Sequence, residues 1–343
     1  MKRKPDVIAD PFGERSSGLK RRRYQILGSI FDFESASTRL LDLVDLAYAG
    51  LPKHRFPHAE LPRCRIRLVL SRPTTPVPYA ARSRGSLGEP APLVMHCAPG
   101  ILCGTVDCTG WVVLSPAQRS GLVLVSRAML RFAYHLRYEL IEFAVFTLAA
   151  RVAGLVPLHA ACVGLGGKGV LIIGASGAGK STLVTQCALQ GMDFVAEDSV
   201  FVQPDSLLAT GIANFVHLRR DALRFVEDRS VAAAIRRAPR IRRRSGVEKF
   251  EMDVRGGRYR LARMPLKLCA VIFVTPRTAP NTALLSRIRP VKARAALLES
   301  QAYAAMQPQW GDFHSGVQAL PAFELRRAGH PRAAADAIKQ LLG

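Results

Sequence analysis

Eight consecutive residues, Gly174-Ala175-Ser176-Gly177-Ala178-Gly179-Lys180-Ser181, match the pattern G-x-x-x-x-G-K-[ST] at every required position. Each residue type answers a physical demand. A phosphate chain is wrapped by successive backbone N–H groups, which needs turns and close approaches that glycine tolerates most cheaply. The loop then runs into a helix N-terminus, where unpaired N–H groups and a partial positive charge favour an anion. Lys180 suits the β- and γ-phosphates as a point charge. The Ser181 hydroxyl suits Mg²⁺, a hard cation that prefers oxygen ligands. Thr182 follows within the same first helical turn. These residues predict a nucleotide site, with ATP as the expected ligand.

A phosphate loop alone does not specify a reaction. Phosphoryl transfer also needs carboxylates for the metal and for orienting or deprotonating an acceptor. Glu197-Asp198 follow the apolar run Phe194-Val195-Ala196. In a parallel sheet that strand end would lie beside the loop, since ligands sit at strand carboxyl ends. One of Glu197 and Asp198 is expected to hold Mg²⁺ with Ser181 and the other to accept a hydroxyl proton. The bland alternative is a solvated acidic strand end. His159, on the apolar segment Leu158–Val163, is by itself more often a core residue than a catalytic one.

The elements that must position these groups are legible in outline. Residues 1–22 read as a disordered basic tail and Tyr24–Phe33 as extended chain. Ser37 is expected to cap a short helix carrying Leu40, Leu41, Val44 and Ala47 on one face. Cys64–Leu70 alternates apolar with basic residues, as a half-buried strand does. Residues 73–92 read as a proline-rich loop, followed by short strands near 93–97, 104–108 and 111–114. Ser115-Pro116 predicts a helix start. Met129, Ala133, Leu136, Leu140, Ala144 and Leu148 recur at helical spacing until Gly154. In the second half, strands are expected at 158–163, 169–173, 194–196 and 268–274, with helices at 181–189 and 330–342. Alternating strands and helices give an α/β domain over 155–343, preceded by a smaller α+β domain over 23–154.

Composition excludes some classes. No apolar run reaches the ~18 uncharged residues of a membrane helix. No apolar signal core follows Met1-Lys2-Arg3-Lys4, so a cytoplasmic protein is the expectation. The spacing of Cys97, Cys103 and Cys108 matches no zinc or C-x-x-C pattern, and the odd total of 7 cysteines argues for reduced thiols. The net charge of +23 concentrates in Lys20–Arg23 and in Arg236, Arg237, Arg240, Arg242, Arg243 and Arg244. Such a field attracts anions. Neither run carries interleaved aromatics or a nucleic-acid module, so nucleic acid is disfavoured without being excluded. The 236–244 stretch reads either as an exposed basic loop or as a segment that clamps phosphates or an acidic peptide. A homo-oligomer stays open.

The stretches 158–163, 169–181 and 191–198, with His159 21 residues before Lys180 and Asp198 18 after it, resemble the C-terminal domain of the HPr kinase/phosphorylase family. The resemblance implies a P-loop kinase core of the HPr-kinase type and phosphoryl transfer from ATP, with Mg²⁺, to a serine hydroxyl of a protein or peptide. It implies Lys180 as the phosphate-contacting lysine, Ser181 as a metal ligand, Asp198 as the acid/base and His159 as an active-site histidine. Glu197 stands where the family usually has aspartate. The family's E-I-R-G-L-G-type stretch is replaced by Phe215-Val216-His217-Leu218-Arg219-Arg220-Asp221. The first half does not resemble the N-terminal domain of the sugar-regulation enzymes, so HPr is a poor expectation as substrate. The chain is similar in type to the divergent relatives that accompany peptide biosynthesis, including lasso-peptide kinases, which points to a precursor peptide. The alternatives are a small-molecule kinase and a nucleotide-gated regulatory protein with little transfer.

Overall fold

The computed structural model describes residues 18–57, 59–71, 92–106, 110–278, 284–327 and 329–343. Its class is mixed α/β, with three mixed or antiparallel sheets.

The first sheet has seven strands in the order Lys20–Ile26, Ser29–Ser35, Arg63–Ser71, Ser120–Ser126, Gly110–Ser115, Ile101–Val106 and Val94–Ala98. In Arg63–Ser71 the arginines face out, while Cys64, Ile66 and Leu68 face in. Their inner face packs on the helix Thr38–Tyr48, whose Leu40, Leu41, Val44 and Ala47 are all buried. The same core takes in a helical stretch that begins at Met129 and ends with Phe143–Val152. Leu136, Leu140, Ala144 and Leu148 are buried at the expected spacing, and Gly154 turns the chain out with φ +63°. Phe201 and Ile212, from later in the chain, complete this core.

Two expectations are corrected here. The first strand starts at Lys20, so the basic run Lys20–Arg23 belongs to a paired strand rather than to a tail. The pairing explains it: Arg21, Arg22 and Arg23 find Glu34, Asp45 and Asp32. Ser115-Pro116 starts no helix. Residues 116–119 form the turn of a hairpin, with Arg119 at φ +50°, and the apolar run Leu122–Val125, with β-branched Val123 and Val125, continues as a strand. The proline-rich stretch lies almost wholly outside the described residues, as does Cys108.

The second sheet has nine strands. Its centre is a parallel pair, Lys168–Ile173 beside Leu266–Thr278, with Ala322–Arg327 parallel on the far side. Fully apolar runs suit strands covered on both faces. One face takes the helices Lys180–Leu189 and Pro331–Leu342, the other Pro290–Ser300 and Trp310–Gln318. Asp193–Ala196 pairs antiparallel with Ala161–Leu165, so the sheet is not purely parallel. The segment expected to be one strand at 158–163 is two, Val156–Leu158 and Ala161–Leu165, which pair with different neighbours. His159 occupies the bend between them. A third sheet, Phe215–Leu218, Glu248–Asp253 and Arg240–Arg242, is antiparallel.

Candidate functional site

The strand Lys168–Ile173 delivers the chain into the glycine-rich loop, and the helix Lys180–Leu189 leaves it. Gly174 is a packing requirement: a Cβ there would lie 3.0 Å from the Val274 carbonyl oxygen. Gly177 and Gly179 have φ of +81° and +104°, the left-handed region that side chains avoid. Open space faces both positions, so the loop amides look into a cleft of about 800 Å³. Lys180 is buried and curls back to donate to the Gly174 carbonyl. Burial pulls its amine below the ordinary lysine value, against the opposing charges of Asp198 and Glu197.

Two carboxylates reach this cleft from the end of Asp193–Ala196. Glu197 is buried, and its Oε1 accepts the Ser181 hydroxyl hydrogen. Its Oε2 accepts from the His217 backbone N–H at 3.0 Å and from His217 Nδ1 at 2.9 Å. Burial alone would raise the Glu197 carboxyl, yet the hydrogen bonds from His217 and Ser181 hold it well below the ordinary range. Asp198 is more open. Its Oδ1 lies 3.3 Å from His159 Nδ1 and its Oδ2 3.4 Å from an amino group of Arg243. The His159 side chain is 58% exposed, which rules out the core-histidine alternative.

The remaining wall comes from elements the local pattern did not mark. Alternation along the third sheet buries Val216, Leu218, Phe250 and Met252 on one face and turns His217, Lys249 and Glu251 to the other. His217 Nε2 lies 3.1 Å from Glu251 Oε1. Both ring nitrogens thus face carboxylates, and those bonds hold the imidazole above its ordinary value although burial opposes them. Lys249 lines the cleft, and burial lowers its amine despite the nearby charges of Glu197 and Asp198. Tyr134, Tyr138 and Glu139, from the first half of the chain, and Phe225, Val274, Leu325 and Pro331, from the second, complete the lining.

The arginine stretch is not one exposed loop. Arg236 and Arg237 end the helix Arg229–Arg237, and Arg240–Arg242 is a strand. Arg243 turns inward to Asp198, with its guanidinium 5.3 Å from the Tyr138 ring centre. Arg244 makes a two-pronged contact with Glu139.

All eight loop residues except Gly174 line this cleft, together with Thr182, His159, Glu197 and Asp198. Ser181 and Glu197 offer a hydroxyl and a carboxylate at one point. Among the described residues no group of three or more His, Cys, Asp or Glu gathers as a self-sufficient metal cage. A hydroxyl beside one carboxylate is the donor set Mg²⁺ takes when phosphates and water supply the rest. His217, Lys249 and Glu251 escaped sequence reasoning as site residues, whereas Arg243 stood out only as part of the basic stretch. The available signal was polar residues alternating inside apolar strands, Phe215-Val216-His217-Leu218 and Lys249-Phe250-Glu251-Met252. Comparison of the chain with family models gave no match, and comparison with curated proteins gave none either. Among the described residues no helix is long and apolar enough to cross a membrane.

Proposed function

We propose that this chain is an ATP-dependent serine kinase, built on a P-loop core of the HPr-kinase type and acting on a protein or peptide. The reading rests on one observation above others: His159 and Asp198, 39 positions apart, meet at 3.3 Å in the cleft that the glycine-rich loop lines. An acid/base pair at the phosphate end of a nucleotide site is what transfer to a hydroxyl requires.

In this mechanism the loop amides and Lys180 hold the β- and γ-phosphates, Lys180 leaving the Gly174 carbonyl to do so. The apolar lining residues Phe225, Val274 and Leu325 take the base. Ser181 and Glu197 would hold Mg²⁺, which when bound neutralises phosphate charge. Asp198 takes the proton of the acceptor hydroxyl as that oxygen bonds to the γ-phosphorus, and the bond to the departing ADP oxygen breaks. His159 steadies the Asp198 carboxylate facing the acceptor. The cations Arg243 and Lys249 flank the same point, and phosphoryl transfer is mainly positioning and charge stabilisation. A precursor peptide is the favoured acceptor, because the wall formed by Tyr134, Tyr138 and Glu139 belongs to the first half of the chain.

The test is radiolabelled ATP with Mg²⁺ and an array of serine-containing peptides, read as phosphoserine. Asp198→Asn should keep ATP affinity and lower transfer by ~10²-fold or more; full activity in that variant would remove the base assignment. A second reading, a nucleotide-gated regulatory protein, draws on the Arg243 contact that occupies Asp198 Oδ2. ATP binding without any phosphoserine on the array would favour it.

A further inference from the structure

We infer that Arg137, from the first half of the chain, is a positioning residue for the metal-binding end of the cleft, acting through a buried relay of Glu251, His217 and Glu197. The inference rests on the kinase reading and deepens it.

The relay is continuous. Arg137 is 2% exposed. One amino group donates to Glu251 Oε2 at 3.3 Å and the other to Oε1. That same Oε1 accepts from His217 Nε2 at 3.1 Å, and the far side of the imidazole donates to Glu197 Oε2 at 2.9 Å. The other oxygen of Glu197 meets Ser181. Four residues therefore carry a fixed geometry from the first half of the chain to the hydroxyl at the head of the loop helix. Glu197 accepts two N–H groups on Oε2, which leaves Oε1, beside the Ser181 hydroxyl, to face a cation.

Local structure shows why Arg137 can start the relay. It lies in Leu136–Glu142, a π-helical turn. In an α-helix the residue five positions on is rotated by roughly 140° from the first. The wider i→i+5 turn brings Glu142 round instead, and its Oε1 lies 3.1 Å from Arg137 Nε, an ion pair without hydrogen-bond alignment. The guanidinium also sits over an aromatic ring, 4.5 Å from the Phe215 ring centre. Single π-turns inside helices recur at functional sites. Stability is a poor explanation for this arrangement. Buried ion pairs usually gain little over an apolar core, because desolvation offsets the attraction. Geometry is what the relay secures, as partners behind a metal ligand commonly do.

Arg137→Lys keeps the charge and loses the two-pronged grip. Glu251→Gln keeps the shape and the acceptor oxygen, and removes a charge. ATP affinity is measured by calorimetry on the full chain across a Mg²⁺ series and in EDTA, with melting curves to establish folding. Each variant should weaken Mg²⁺-dependent ATP affinity by ~10-fold or more, with Mg²⁺-free ATP binding within about twofold of the parent. A scaffold role alone would lower both together, or neither, and either result in a folded variant overturns the inference. Arg137→Met should do worse than Arg137→Lys. Glu251→Gln, further from the helix core, carries the test if the Arg137 variants do not fold. Absence of ATP binding by the parent chain would instead remove the kinase reading, and this inference with it.

Discussion

Gln301 grips the backbone of His159 from both sides, accepting from its N–H at 2.8 Å and donating to its carbonyl at 3.1 Å. Gln301 is 3% exposed and follows the helix Pro290–Ser300. The bend at His159 breaks the strand ladder, so its N–H and carbonyl lack a strand partner and need one from elsewhere. A side-chain amide supplies both at once. The grip also sets where the imidazole emerges, 3.3 Å from Asp198.

Gln301→Leu should therefore act on stability and on the site together. Leaving two partly buried backbone groups unpaired costs about 1–3 kcal/mol in all, seen as a lower melting temperature. The same variant should lose transfer activity while ATP affinity holds, since the loop is untouched. A variant that melts earlier yet transfers normally would show that His159 needs no such positioning.

Lys180→Ala should weaken ATP by ~10–100-fold, the worth of a charged hydrogen bond of about 1.5–3 kcal/mol. The parent protein holds this amine against the Gly174 carbonyl, a contact that ATP must replace. Calorimetry with ATP in excess Mg²⁺ reads the effect. Unchanged affinity would mean that the loop binds no phosphate.

Much of this site was legible because its parts are local. The loop, the strand before it, the helix after it and the acidic strand end are contiguous patterns, and the fold bears out their spacing. The closing helix was legible for the same reason, with His330 capping it. What escaped was held by distance. Gln301 lies 142 residues from His159 and Glu251 114 from Arg137, and no window of sequence joins them. Ser115-Pro116 misled because its capping chemistry is shared by helix starts and tight turns, and the strand-forming run after it decided the outcome. The two strands flanking His159 merged in the sequence because both are apolar. Only their different pairing partners separate them.

Arg243→Ala should lower transfer by ~10-fold or more with little change in the KM for ATP. Asp198 lies between His159 and Arg243, at 3.3 Å and 3.4 Å. Removing one cation leaves the carboxylate held from one side only. Arg243→Lys should recover part of the loss, since the charge returns without the planar fork. The KM-against-kcat split decides: a rise in the ATP KM alone would place Arg243 on the nucleotide instead.

His54 yields the pH dependence. It is 5% exposed and joins the halves of the chain, with Nδ1 2.6 Å from Thr210 Oγ1 and Nε2 2.7 Å from the Ala262 carbonyl. A carbonyl only accepts, so Nε2 carries the hydrogen and Nδ1 accepts from the threonine hydroxyl, which is the neutral imidazole. Burial lowers its pKa, partly opposed by the bond to Ala262. Below the ordinary histidine value of about 6.5 the unfolded chain takes a proton that the folded chain refuses, so stability falls as pH falls. The slope from this one group approaches 1.36 kcal/mol per pH unit at most. The contribution is intact above that value and shrinks as pH drops toward the lowered one. Chemical denaturation from pH 7.5 to 5.5 should show the parent losing stability faster than His54→Gln, which is less stable at neutral pH by about 1–3 kcal/mol for its lost hydrogen bonds. Taking the difference between the two proteins removes the other titrating groups. A difference that stays constant across the range would mean that His54 is protonated in the fold as readily as outside it.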